Sequence, residues 1–164
     1  MIELHLPYPV SSNRYWRHAT RPAGGEKWRA VTLLTNEAQA YKREVAWLAR
    51  TQGVRRIVDG RLTVVGYLFP QRPQDADQRI KRMGDLWDEK VRCIDSGNAD
   101  KVLLDALQGV MWHDDAQVWS IAMHRMEHVG PAGLVLQITW HVRPQPVFRR
   151  AFGEQIPTTK AMFG

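Results

Sequence analysis

The stretch DSGNADKVLLDALQGVMWHDD, from Asp95 to Asp115, holds residue types that can cut a phosphodiester. Asp95 opens it, Lys101 sits within it, and Asp114 and Asp115 close it. Carboxylates that converge repel one another and raise each other's pKa. Mg2+ or Mn2+ resolves that conflict, because both are hard cations that prefer oxygen ligands. A cation so held binds a phosphate oxygen, lowers the pKa of water and orients it for in-line attack. A nearby Lys neutralises charge building on the phosphate or positions the water. Together these are the parts of a metal-dependent nuclease. The same residues also admit a plainer reading, in which Asp95 caps a helix and Asp114–Asp115 form a surface turn.

The elements that must position these groups follow from periodicity. IELHLP alternates Ile2, Leu4 and Leu6 with polar residues, the period of a half-buried strand. Residues 7–30 contain three prolines and a Gly-Gly pair, and read as a long loop. Thr35 or Asn36 can cap a helix running to about Gln52, with Gly53 as its stop and Ala38, Tyr41, Val45 and Leu48 as its buried stripe. RLTVVGYLFP (61–70) is apolar on both faces, as a central strand would be. Residues 71–92 are dense in charge, and part of them can be helical. A second helix spans 98–108, with Leu103, Leu104 and Leu107 inward and Asn98, Lys101 and Asp105 on one polar face. Residues 116–126 form a strand, 130–133 a turn, and LVLQITWHV (134–142) the clearest strand of all. The last two strands read as a hairpin. This order predicts an α+β fold, a single-layer mixed β-sheet covered by helices, over residues 1–142. A loosely ordered basic C-terminal tail over 143–164 follows.

Composition adds a partner class. The chain has 164 residues, 44% of them apolar, and 23 Lys plus Arg against 17 acids give a net charge of +6. Such an excess suits an anionic partner such as nucleic acid, although a merely basic soluble protein has the same balance. The single Cys93 excludes an internal disulfide and a multi-Cys zinc site. No apolar run approaches the ~20 residues of a membrane span, and MIELHLPYPV lacks the form of a signal peptide. A cytoplasmic protein with no membrane partner is expected.

The central stretch resembles the signature of the RusA family of Holliday junction resolvases. That signature runs roughly D-x-D-N-x-x-K-x-x-x-D-A-L, then a Gly-containing turn, then D-D-x-x-V. LPYPVSSNRYWR resembles the family's opening Pro-rich, Asn-Arg-Tyr segment. The resemblance implies a small, homodimeric, Mg2+-dependent endonuclease, bacterial or phage-encoded. Its substrates would be four-way DNA junctions in recombination and repair, with Mn2+ as a substitute cation. It implies Asp95, Lys101 and Asp115 as catalytic residues, and Asp95, Asp115 and the neighbouring Asp114 as metal ligands. Asn98 matches the motif Asn. Gly97 departs from the pattern, standing where the family holds a second metal-binding Asp, and glycine supplies no ligand. Asp100 or a water can substitute, though Asp100 lies about one turn along and on a different face. Alternatively the chain binds junctions and cuts them poorly, or the residue is an introduced change.

Residues 13–29 carry five cations against one acid, with three aromatics interleaved. Cations there can follow phosphates and aromatics can stack on unpaired bases. The expected DNA-binding set is Asn13, Arg14, Tyr15, Arg17, Arg21, Lys27, Arg29 and Asn98. Trp16 reads as core, and Trp28 as either core or contact. His113 and His124 form only a weak metal motif. Cys93 reads as a small buried residue, and Trp47, Trp119 and Trp140 as core or dimer contacts.

Overall fold

Alternating apolar residues build the main sheet in the computed structural model, which describes residues 1–24 and 27–140. β1 (Ile2–Leu6), β4 (Leu62–Phe69), β5 (Val118–Arg125) and β6 (Gly133–Trp140) form a mixed sheet in the order β1-β6-β4-β5. Leu4 faces Leu136, and Val64 faces Ile138. These pairs belong to one face, buried together with Leu6, Leu62, Leu68 and Leu134. Residues of opposite parity, such as Val65, Tyr67 and Val135, are only half-buried. Gly66 lies on the buried face, where any side chain would displace the tip of Met123. A Cβ there would stand 2.6 Å from the Met123 sulfur, which fills the space over the glycine.

β4 lies in the middle of the sheet, as its apolar composition predicted. The expected β5–β6 hairpin does not form. β6 runs antiparallel between β1 and β4, while β5 pairs parallel with β4. The reason is the crossover. α4 (Ser96–Leu107) lies between β4 and β5 and returns the chain in the direction of β4, as a parallel pairing requires. β6 then takes the other side of β4.

α2 (Asn36–Thr51) starts where the sequence indicated, with Thr35 Oγ1 accepting from the Ala38 amide at 3.1 Å. Ala38, Tyr41, Val45 and Ala49 are buried, and α2 packs on β1 and on α4. From α4, Ala99, Val102, Leu103, Ala106 and Leu107 enter the same core.

The expected loop over residues 7–30 is largely regular. α1 (Ser12–Tyr15) leads into an antiparallel ribbon of β2 (Trp16–Pro22) and β3 (Trp28–Leu34), separate from the main sheet. Most of its side chains are exposed and its packing on the core is made at its base by Trp16 and Leu34, so it shows none of the alternation that marks a packed strand.

The charged segment after β4 contains α3 (Ala76–Met83) and a short 3-10 turn (Gly84–Leu86). A buried knot fastens it. His128 is fully buried, and its Nδ1 lies 3.1 Å from the Gln71 carbonyl, so that nitrogen carries the proton. Its Nε2 then accepts from Arg125, 3.1 Å away. Arg125 also donates to the carbonyls of Asp88 and Val91 at 3.2 and 3.1 Å. The Ile94 amide donates to the Tyr8 hydroxyl at 3.0 Å. Burial, followed by the Cys93 contact, pushes that phenol up to about 12. The chain therefore reaches Asp95 already fixed. The tail expected over 143–164 lies outside the described residues.

Candidate active site

Asp95 occupies the N-cap position of α4. Its backbone carbonyl accepts from the amides of Asn98 and Ala99 at 3.1 and 3.0 Å. An Asp at this position ordinarily caps with its side chain. Here the exposed carboxylate makes no capping bond. Gly97 is exposed too, and a Cβ on it would lie 3.7 Å from Asp95 Oδ2, an ordinary contact. Asp100, about one turn along α4, feels the Asp95 charge. Burial first and the Asp95 charge second raise its carboxyl above the usual carboxylate range. Its Oδ1 is buried with no hydrogen-bond partner among the described residues.

Asp115 is held quite differently. It begins a 3-10 turn (Asp115–Gln117) capped on both sides. Asp114 Oδ1 accepts from the Ala116 amide at 2.8 Å. Gln117 Oε1 accepts from the amides of His113 and Asp114 at 2.7 and 3.3 Å. Gln117 Nε2 donates to the carbonyls of Val58 and Gly60 at 2.9 and 3.1 Å. The preceding turn needs Gly109, whose φ of 75° is left-handed. The plain reading of Asp114 as a turn residue is therefore right for this acid, whereas Asp95 sits at a cap without capping.

Asp115 lines an open cavity of about 340 Å3 with Trp16, Lys101, Leu104, Asp105 and Gln108. A second cavity, of about 580 Å3, is bordered by Asn13, Trp16, His18, Thr32, Asn98 and Lys101, with Ser12. Lys101 and Trp16 border both, and Lys101 makes no ion pair among the described residues. Asn98 Oδ1 accepts from Ser12 Oγ at 2.7 Å, which leaves its amide protons as donors. Asp95 borders neither of these two cavities.

Asp105 is bound into the fold. Lys42 Nζ lies 2.9 Å from its Oδ2, and the Tyr15 hydroxyl donates to the same oxygen at 2.6 Å. This corrects the expectation for Tyr15, which is fully buried and has no surface to offer DNA. Burial and the Asp105 charge hold its phenol far above the ordinary range. Arg14 pairs with Glu37 at 3.2 Å. Arg17, Arg21, Lys27 and Arg29 are exposed on the ribbon. Trp47 and Trp119 are 63% and 56% exposed, so neither is core, and Arg61 lies over the Trp119 ring. His113 lies 3.6 Å from Asp59 and His124 stacks on Tyr67, in separate places. Sequence reasoning missed Gln117, whose Asp-x-x-Gln spacing from Asp114 is a capping signal, and Ser12, which had none.

Among the described residues, no three His, Cys, Asp or Glu side chains converge as a group that could hold a metal ion. In kind, the donors do suit a hard cation. They are all oxygens, and among the described residues the Asp95 carboxylate is uncommitted and the buried Asp100 Oδ1 has no partner. No helix among these residues is long and apolar enough to cross a membrane.

Comparison with known proteins gives the same direction. Residues 7–139 match the family described as endodeoxyribonuclease RusA. The chain is 31% identical over 135 residues to the crossover junction endodeoxyribonuclease of Enterobacteria phage 82, covering 82% of this chain and 90% of the relative. It is 30% identical, with the same coverage, to the enzymes of that name in Escherichia coli K12 and Shigella sonnei.

Proposed function

The chain belongs to the RusA family of endodeoxyribonucleases, and from that premise we propose that it resolves four-way DNA junctions in recombination and repair. The carrying observation is the difference in employment among its acids. Asp105 and Asp114 are spent on the fold, while the side chains of Asp95 and Asp115 make no hydrogen bond or ion pair among the described residues. Asp95 and Asp115 would hold Mg2+, or Mn2+ in its place, while Asp114 fixes the turn that carries Asp115. Such a cation supplies Lewis acidity toward the phosphate and an activated water.

Lys101, which makes no ion pair among the described residues, borders the cavity that Asp115 lines, where its ammonium opposes charge developing on the phosphate. Asn98, oriented by Ser12, offers its amide protons to a phosphate or sugar oxygen. Asn13 and Arg14 at the base of the ribbon, with Arg17, Arg21, Lys27 and Arg29 along it, follow the DNA backbone. A homodimer suits a two-fold symmetric junction, because an isologous pair presents two sites in matching orientation. The cytoplasm is where such a bacterial or phage substrate resides.

Gly97 favours a second reading, a junction-binding relative that cuts weakly. Incubating a synthetic four-way junction with Mg2+ or Mn2+ and either wild type or Gly97→Asp separates the two. Paired cuts by wild type support the resolvase. A gel shift by wild type with cuts only by Gly97→Asp supports the binder. Equal affinity for junction and duplex at matched salt removes both.

A further inference from the structure

The β2–β3 ribbon carries more chemistry than a cut site requires. Its register pairs Trp16 with Leu34, His18 with Thr32, and Pro22 with Trp28. Paired residues share a face, and faces alternate along a strand. Trp16, His18 and Trp28 therefore lie on one face, and Arg17, Arg21 and Arg29 on the other. The first face is the one that borders the Lys101 cavity, through Trp16, His18 and Thr32. Trp28 stands at its outer end, about 20 Å along the ribbon from Trp16 at ~3.3 Å per residue. Its indole is 68% exposed.

On the opposite face Arg21 and Arg29 are direct cross-strand partners. Like charges so placed are destabilising, and neither makes an ion pair among the described residues. A polyanion removes that repulsion. A flat indole at the tip of a cationic ribbon is matched by a ligand that offers an aromatic face beside phosphates. Intact duplex hides its base faces within the stack, whereas a branch point interrupts it.

Resting on the junction-endonuclease reading, we infer that the ribbon is a branch-sensing arm. Arg17, Arg21 and Arg29 hold the phosphates of a DNA arm, and Trp28 stacks on a base at the branch point. Stacking of a base on an aromatic side chain changes affinity by about 10- to 100-fold.

The test uses the full chain in EDTA, with a four-way junction carrying 2-aminopurine at the branch and a matched duplex. Wild type should prefer the junction and quench the probe. Trp28→Ala should lose about tenfold or more in junction affinity, keep duplex affinity, leave the probe bright, and melt at the wild-type temperature. Trp28→Phe should restore most of both signals. The double variant Arg21→Ala/Arg29→Ala should weaken junction and duplex alike, and flatten the salt dependence by about two phosphate contacts. If wild type prefers junctions while Trp28→Ala matches it in affinity and quenching, the arm is overturned and the junction reading stands. If wild type shows no preference for junctions, the reading fails and the arm with it.

Discussion

At the C-terminal side of α4, Asp115 rides a turn in which Asp114, Gln117 and the carbonyls of Val58 and Gly60 satisfy one another. At the N-terminal side, Asp95 leaves its cap unmade, Gly97 offers nothing, and the buried Asp100 Oδ1 has no partner among the described residues. Buried polar groups in folded proteins are normally satisfied, and a carboxylate left without a partner is costly. One side of the site is thus built by the chain's own hydrogen bonds. The other sets the Asp95 charge near the partly buried Asp100 carboxyl, a repulsion that an outside cation would relieve. The comparison explains why a basic protein keeps acids at both ends of one helix. Only one end needs them for its architecture.

Breaking the self-sufficient side should have the largest effect. Asp115→Asn should lower junction cleavage by about 10³-fold or more, the scale of losing one transition-state stabilising group. Binding to the junction in EDTA should stay within twofold of wild type, because no structural bond is lost. Gln117→Ala attacks the same side through its support. Cleavage should fall about 10- to 100-fold, as for a group that orients a ligand, and thermal melting should report a loss of ~1 kcal/mol. Asp115→Asn should show no comparable loss of stability, and that contrast separates ligand from scaffold.

On the Asp95 side the signs invert. Gly97→Asp places a second carboxylate beside Asp95, so the metal-free protein should melt lower than wild type. Saturating Mg2+ should raise the variant's melting temperature by more than it raises the parent's, with about tenfold tighter Mg2+ binding. Asp100→Asn should have the smallest effect. Its carboxyl titrates above the usual range in the fold, so the native state holds more protons than the unfolded one. Metal-free stability therefore falls as pH rises past the ordinary carboxylate range. Asp100→Asn should melt higher than wild type at neutral pH, and the gap should close on acidification.

What the sequence made legible tracks what each segment buries. The alternation of Leu134, Leu136 and Ile138 and the Thr35 cap were readable because one face or one bond dominates there. The β2–β3 ribbon was not, because exposed strands carry no apolar period. The pairing of β6 was hidden as well, since sequence neighbours are the natural guess for a hairpin and the α4 crossover overrules it. For the proposed site, residue types nominated Asp95, Lys101 and Asp115. They did not reveal that Asp114 is consumed by a cap, or that Tyr15 is buried against Asp105. Those facts depend on which hydrogen-bond partner folding delivers.

Mn2+ binding tests the central claim most directly, because the free ion gives a six-line electron paramagnetic resonance signal that fades when the protein binds it. Titrated without DNA, wild type should diminish that signal, and both Asp95→Asn and Asp115→Asn should bind at least tenfold more weakly. Wild-type Mn2+ affinity in both variants would contradict a cation shared between the two sides of α4.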